Sequence, residues 1–340
     1  MRALAATINF HSFFGVIVMR RVLAALVVAA VASLTALTAA AQGYPNKPIR
    51  MVLPYPPGGG TDALGRIMAE RIADRLGVGV VVTNVPGGSG TVGSDQVRRA
   101  EPDGYTLLFN ASLFLMGKNV VKSTPYDPLD DFTALGRVGQ APLLVIASSK
   151  VEATTLADLV KAVRANPAGY NMALSGLGSA GHLGSLEFMR LVGVNLQAIP
   201  YKGTAPALAD VMGGSVQLMI DSATALIQQT KGGRVRGLAI TGSARSKVNP
   251  DIPTTAEAGM PELSIASWYG VWGPKGLAPA ITSRLVTAIA EGVKQPEFAA
   301  RIDAAGIVPG YLDPAAFVDF MRMDLARSVN LLKAANFQPE

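Results

Sequence analysis

Two glycine-rich segments carry the chemistry this chain can do. In residues 54–62 (PYPPGGGTD), Gly58, Gly59 and Gly60 let the backbone approach a bound group, and Thr61 or Asp62 stands where a helix would be capped. Amides exposed at a helix start favour an anion. No Gly-Lys-Ser/Thr follows, so the segment is not a phosphate-binding P-loop. In residues 175–182 (SGLGSAGH), Ser175, Gly176, Gly178, Ser179, Gly181 and His182 again lie between a strand and a helix. The spacing satisfies G-x-G-x-x-G, but a dinucleotide site needs an acidic residue about 20 positions on, at the end of the next strand. That strand ends instead in Pro200, Tyr201 and Lys202. A small anion fits both loops better than a nucleotide, and no cofactor is expected.

The catalytic inventory is thin. His11 falls near the N-terminus, which leaves His182 as the one histidine in the body of the chain, and there is no cysteine for a thiol nucleophile, a thiolate metal site or a disulfide. Ser89 in GGSG approaches a nucleophile-elbow spacing, but Thr91 stands where the closing glycine belongs. A hydrolase built on Ser89 and His182 is therefore the weaker alternative, and a lone histidine at a helix start is more often a structural or ligand-contacting donor than a base. Metal binding lacks a second histidine or an acidic cluster, since Asp130 and Asp131 read as solvated or capping groups.

These loops must be held by a scaffold, and 340 residues suit two domains of ordinary size with a cleft between them. Hydrophobic residues make up 49% and charged residues 16%, but the long apolar run is at the start. Residues 22–41 carry no charge and follow Arg20 and Arg21; Ala39 and Ala41 occupy the small-residue positions of an export signal cleaved after Ala41. Translation starting at Met19, or retention of the segment as a membrane anchor, are the alternatives. Removal of residues 1–41 takes away Arg2, Arg20 and Arg21 and no acid, which lowers the formal charge from +6 and removes the motive for nucleic-acid binding.

From there the chain alternates strands and helices, an α/β pattern. The first lobe has strands at 48–54, 79–83 and 106–110 and helices at 62–76 and near 91–99. In the first helix Leu64, Ile67, Met68, Ile72 and Leu76 recur on one face, opposite Arg66, Glu70, Arg71 and Asp74. A buried strand at 143–147 (LLVIA) leads into the second lobe, with helices at 155–165, 181–191 and 205–212 and strands at 171–174, 196–200, 216–220 and 235–240. A strand-like run at 267–272 crosses back, and helices follow at 279–294, 297–305 and 314–336. No sequence repeat is visible. The expected division is 42–144 plus 268–340 for one lobe and 145–267 for the other, with hinges near 143–147 and 267–271. One glycine loop per lobe would then face the other across a cleft, and helix dipoles and N–H groups would offset ligand charge without an arginine clamp.

The ordered series YPNKPIRMVLPYPPGGGTD, NVPGGSGTVGSDQV, EPDGYTLLF, SGLGSAGHL, IPYKGTAPALADVMGG, RVRGLAITGSARS and DIPTTAEAGMP resembles the extracytoplasmic solute receptors of the tripartite tricarboxylate transporter family, also called Bug receptors, over nearly the whole mature chain. Only the extension before Met19 is unusual, and Tyr55 sits where the aromatic identity varies. The resemblance implies a periplasmic binding protein of two α/β lobes, joined by two crossover strands and closing like a flytrap. It also implies a small carboxylate ligand (a di- or tricarboxylate, an amino acid or an aromatic acid), membrane permease subunits as partners, a monomer and no catalysis. By the resemblance the first loop, with Tyr55, Pro57, Gly58, Gly59, Gly60, Thr61 and Asp62, holds a ligand carboxylate, and the loop from Ser175 to His182 is its counterpart. Asn110, Ser112, Tyr201, Lys202, Asp221 and Thr224, after strand ends, are the contacts that would select the ligand. Asp221 would either accept a ligand amino group or cap Thr224. A ligand-sensing subunit for a signalling receptor is a further alternative, since it would use the same closed state.

Overall fold

The computed structural model describes residues 43–58, 60–303 and 306–339. The expected signal segment 1–41 with its cleavage point, His11 and Gly59 lie outside the described residues.

The short apolar run of β1 (Ile49–Leu53) is buried on both faces except at Arg50, as suits a central parallel strand. The helix α1 (Gly60–Leu76) leads to β2 (Val80–Asn84), and α2 (Thr91–Arg98) leads to β3 (Thr106–Ala111). Both strands pair parallel with β1, in the order β2-β1-β3. The apolar stripe of α1 buries Leu64, Ile67, Met68 and Ile72, each contributing about 1.5–3 kcal/mol relative to exposure. Gly65 sets the closeness of this packing, because a Cβ there would stand 2.7 Å from Leu53 Cδ2.

Beyond this module lie the long strand β4 (Phe132–Ser148) and the helix α3 (Leu156–Ala165), the latter capped by Thr155, which accepts the Asp158 N–H. A second module follows: β5 (Asn171–Leu174), α4 (Ala180–Val192), β6 (Gln197–Pro200), α5 (Thr204–Gly213) and β7 (Leu218–Ser222). Its strands are parallel in the order β6-β5-β7. The two modules therefore share one topology without a visible sequence repeat, and in each the first strand is central. The chain continues through α6 (Ala223–Lys231), β8 (Val235–Ile240), β9 (Ala266–Pro274), α7 (Pro279–Val293), α8 (Pro296–Asp303), β10 (Val308–Leu312) and α9 (Pro314–Ala334).

Among the described residues the sheet path is β2-β1-β3-β9-β4-β7-β5-β6, with β8 and β10 also pairing β4. The strand β4 serves both halves: Phe132 to Pro142 run antiparallel to β9, and Leu143 to Ala147 run antiparallel to β7. The buried strand expected at 143–147 is thus only the end of a much longer one. Its first part is hidden in sequence by Gly136 and Gly139, which occur at register shifts and let β10 close in. A Cβ at either glycine would stand 3.1 Å from a β10 carbonyl, that of Leu312 or Val308 respectively. The strand β10 and the helix α6 were not expected either, the former because Pro309 and Gly310 interrupt it.

One buried cluster joins Val52, Leu108, Trp268, Trp272, Phe317 and Met321, and another joins Leu174, Leu183, Phe188, Leu218, Leu331 and Leu332. The helix α9 contributes its first half to one and its second half to the other. Among the described residues no helix is long and apolar enough to cross a membrane.

Candidate functional site

Each glycine loop leaves the carboxyl end of its module's central strand, where parallel α/β sheets open a crevice between diverging connections. After β1 the chain turns through Pro54 to Gly58, whose φ of 91° favours glycine, and enters α1 at Gly60. Asp62, in the first turn of α1, accepts the Gly58 N–H at 3.0 Å, Arg66 Nε at 3.1 Å and Asn84 Nδ2 at 2.9 Å. Burial alone would raise its carboxyl, but the hydrogen bonds from Arg66, Asn84 and Gly58 outweigh it and hold the group below the usual carboxylate range. Asn84 also donates to the Tyr55 carbonyl at 3.0 Å. Asp62 is thereby committed to shaping the loop, while Pro57 and Gly58 are exposed and Thr61 is half-buried.

The Tyr55 hydroxyl donates to Asn110 Oδ1 at 2.9 Å, and Asn110 Nδ2 donates to Ser94 Oγ at 3.1 Å. Burial raises the Tyr55 hydroxyl well above its ordinary pKa, so it stays a donor. Gly90 lies against this pair, since a Cβ there would be 3.1 Å from Tyr55 Oη. Ser112 is buried just after β3.

In the second module Ser179 caps α4, accepting the His182 N–H at 3.1 Å, and the Gly178 N–H donates to His182 Nδ1 at 3.0 Å. Gly176 is half-buried, and Gly178 has a φ of 76° with space for no side chain. His182 is 3% exposed, and burial pushes its pKa down to about 4, so the ring is neutral at pH 7. With Nδ1 occupied as an acceptor, the ring proton is on Nε2. A general base is not available there, which removes the support for a Ser89–His182 hydrolase.

Asp221 lies inside β7 rather than after a strand, and it does not cap Thr224. Its Oδ2 accepts Thr204 Oγ1 at 2.8 Å and its Oδ1 accepts the Ser222 N–H at 2.7 Å. Burial raises its carboxyl against the opposing pull of Thr204, Ser222 and Ser175. Gly181 adjoins it, a Cβ there falling 3.1 Å from Asp221 Oδ1. Ser222 and Thr224 share a hydroxyl contact of 2.8 Å. Across from them, a Cβ on Gly60 would be 3.2 Å from Thr224 Oγ1 and 3.1 Å from Tyr269 Oη. The starts of α1, α4, α5 and α6 therefore converge on residues 221–224, and partial positive charge from four helix dipoles meets there.

Gly60, Ser175, Gly181, Asp221 and Thr224 are brought together. Tyr201 is turned to Asp210, with Oη donating to Oδ2 at 2.6 Å, and its pKa is pushed up to about 12 by burial and then by that carboxylate. Lys202 is exposed at the end of the edge strand β6. Sequence reasoning missed Tyr269, Ser222 and Thr204. Burial first of all holds the Tyr269 hydroxyl at about 12, with Ser267 and Ser222 as its hydrogen-bond partners. Ser222 and Thr204 precede or open helices directly after strand-rich segments, a signal that was present; Tyr269 looked like any aromatic in a buried strand. Among the described residues no group of three or more His, Asp or Glu is placed to hold a metal ion.

The family model described as "Tripartite tricarboxylate transporter family receptor" matches residues 64–337. The chain is 35% identical over 295 residues to Protein BugT of Bordetella pertussis, covering 86% of this chain and 90% of the relative. The solved structure of the periplasmic binding protein BugD is similar with a TM-score of 0.77 and 34% identity, covering 87% of this chain and all (100%) of that one. Rpa4515 of R. palustris, solved with adipate, is similar with a TM-score of 0.80 and 32% identity over 87% of this chain and 100% of that one.

Proposed function

Because the chain belongs to the tripartite tricarboxylate transporter receptor family, we propose that it is a periplasmic receptor which captures a small carboxylate and delivers it to membrane permease subunits of that transporter type. The observation that carries this reading is the convergence of four helix starts on residues 221–224, in contact with Gly60 of the other module. An anion placed there is offset by backbone amides and dipoles, and the neighbouring hydroxyls of Tyr269 and of the Ser222–Thr224 pair supply directional donors, while that of Thr204 is committed to Asp221. Adipate in the similar Rpa4515 structure supports a carboxylate as the ligand class.

The lobes are 42–144 plus 268–340 and 145–267, and they close about β4 and the start of β9, with the protein acting as a monomer. Ligand contacts to both lobes shift the population toward the closed form, and release follows when the permease favours the open one. The residues nearest the ligand are Gly60, Thr61, Ser175, Gly176, Gly181 and Thr224; Asp62, Asp221 and His182 hold the loops.

A thermal-shift screen against mono-, di- and tricarboxylates, amino acids and aromatic acids tests the reading. Binding to the folded state raises the melting temperature by about RT ln(1 + [L]/Kd) in free-energy terms. A selective rise with one carboxylate is the expected result, and a screen without any rise in folded, ligand-free protein contradicts it.

A further inference from the structure

We propose that Phe337, just beyond the end of α9, is a positioning residue for the second glycine loop and acts through His182; the inference rests on the receptor reading above. The helix ends in a Schellman turn: Asn336 has a φ of 52°, its N–H donates to the Lys333 carbonyl at 3.0 Å, and the Phe337 N–H donates to the Leu332 carbonyl at 3.0 Å. That cap fixes the direction in which Phe337 leaves the helix. Its ring meets the His182 ring with centroids 5.4 Å apart and planes at 61°, an edge contact.

His182 needs that contact to hold its tilt. His182 and Phe337 both border a pocket of about 700 Å³ walled also by Leu177, Leu186, Met189 and Val194, so the contact between the two rings lies at the margin of open space and not within close packing on all sides. If it turns, Nδ1 leaves the buried Gly178 N–H without its acceptor. Gly178 in turn lies against Val120, where a Cβ would be 2.8 Å from Cγ1, so the loop has one tight seat. The helix itself is anchored elsewhere, by Phe317 and Met321 in the other buried cluster and by Trp268 Nε1 donating to Asp324 Oδ2 at 2.9 Å. Loss of the Phe337 ring therefore frees His182 without undocking α9, and the helix links the seating of this loop to the opposite half of the molecule.

The test measures amide hydrogen exchange at Gly178 and calorimetric affinity for adipate in Phe337→Ala, Phe337→Leu, Phe337→Tyr and Asn336→Gly. Phe337→Ala is expected to speed Gly178 exchange and to weaken adipate binding, each by about three- to ten-fold, the range expected for an aromatic pair. Phe337→Tyr restores both, and Asn336→Gly, which keeps the left-handed cap, leaves both unchanged. Should the alanine variant melt globally, Phe337→Leu, which keeps apolar volume, gives the same reading. Gly178 exchange at the wild-type rate, or faster exchange with unchanged adipate affinity, overturns the proposal. Failure of the wild-type protein to bind adipate counts against adipate as the ligand, while the exchange measurement still decides the role of Phe337.

Discussion

Gly60 and Thr224 touch across the site: a single added carbon on residue 60 would stand 3.2 Å from Thr224 Oγ1. One residue opens the helix after β1 and the other lies in the helix after β7, so two separate α/β modules meet at their helix starts. Tyr269, from the strand between the modules, completes the contact, its hydroxyl 3.1 Å from the same point.

Gly60→Ala places a methyl group into that contact. Overpacking of this kind costs about 1–3 kcal/mol; the part that falls on Thr224, in the other proposed lobe, opposes closure on the ligand and weakens binding by about ten-fold per 1.4 kcal/mol. Calorimetry with adipate reads the affinity, and because Tyr269 lies in the same proposed lobe as Gly60 the unliganded protein is expected to melt somewhat lower as well.

Gly181→Ala meets backbone instead of side chain, since its Cβ would fall 2.5 Å from the Ile220 carbonyl oxygen. The strand and helix must separate, and a destabilisation of about 1–3 kcal/mol or more is expected in urea unfolding. Gly176→Ala is the control: nothing lies within 4 Å of its Cβ, and the change is expected to stay within about 0.5 kcal/mol.

Asp221→Ala leaves the Thr204 hydroxyl and the Ser222 N–H without their acceptor. These half-buried donors, left without a partner, cost up to about 1–3 kcal/mol, while Asp221→Asn keeps one oxygen and should lose less. Equilibrium unfolding of the two variants gives the order.

His182 supplies a pH dependence. Its folded pKa of about 4 lies below the ordinary histidine value of about 6.5, so between these values the unfolded chain binds the proton and the folded one does not. Stability from this group is complete above about pH 6.5 and is lost as pH falls toward 4, on the order of 3 kcal/mol in all. The difference in unfolding free energy between wild type and His182→Asn, followed from pH 7 to 4.5, should shrink or change sign as the pH falls; a constant difference counts against the assignment.

The sequence disclosed both glycine loops because glycine and turn chemistry are local, and most helices and parallel strands because their periodicity is local too. It did not disclose that β4 begins at Phe132, since Gly136 and Gly139 read as breakers until β10 is seen closing over them. The site residues divide along the same line. Gly60 and Gly181 could be marked from their loops, whereas the commitment of Tyr201 to Asp210 and of Asp221 to Thr204 depends on packing at a distance in sequence. Tyr269 carried no local signal, because its role comes only from the strand that passes between the modules.

The most direct test is calorimetric titration of the purified protein with adipate and related dicarboxylates, each set beside its dimethyl ester. Saturable one-to-one binding of a free dicarboxylate, abolished in the ester and weakened by Gly60→Ala, is the expected result. No binding by any carboxylate in protein shown to be folded and ligand-free, or equal binding of acid and ester, would contradict it.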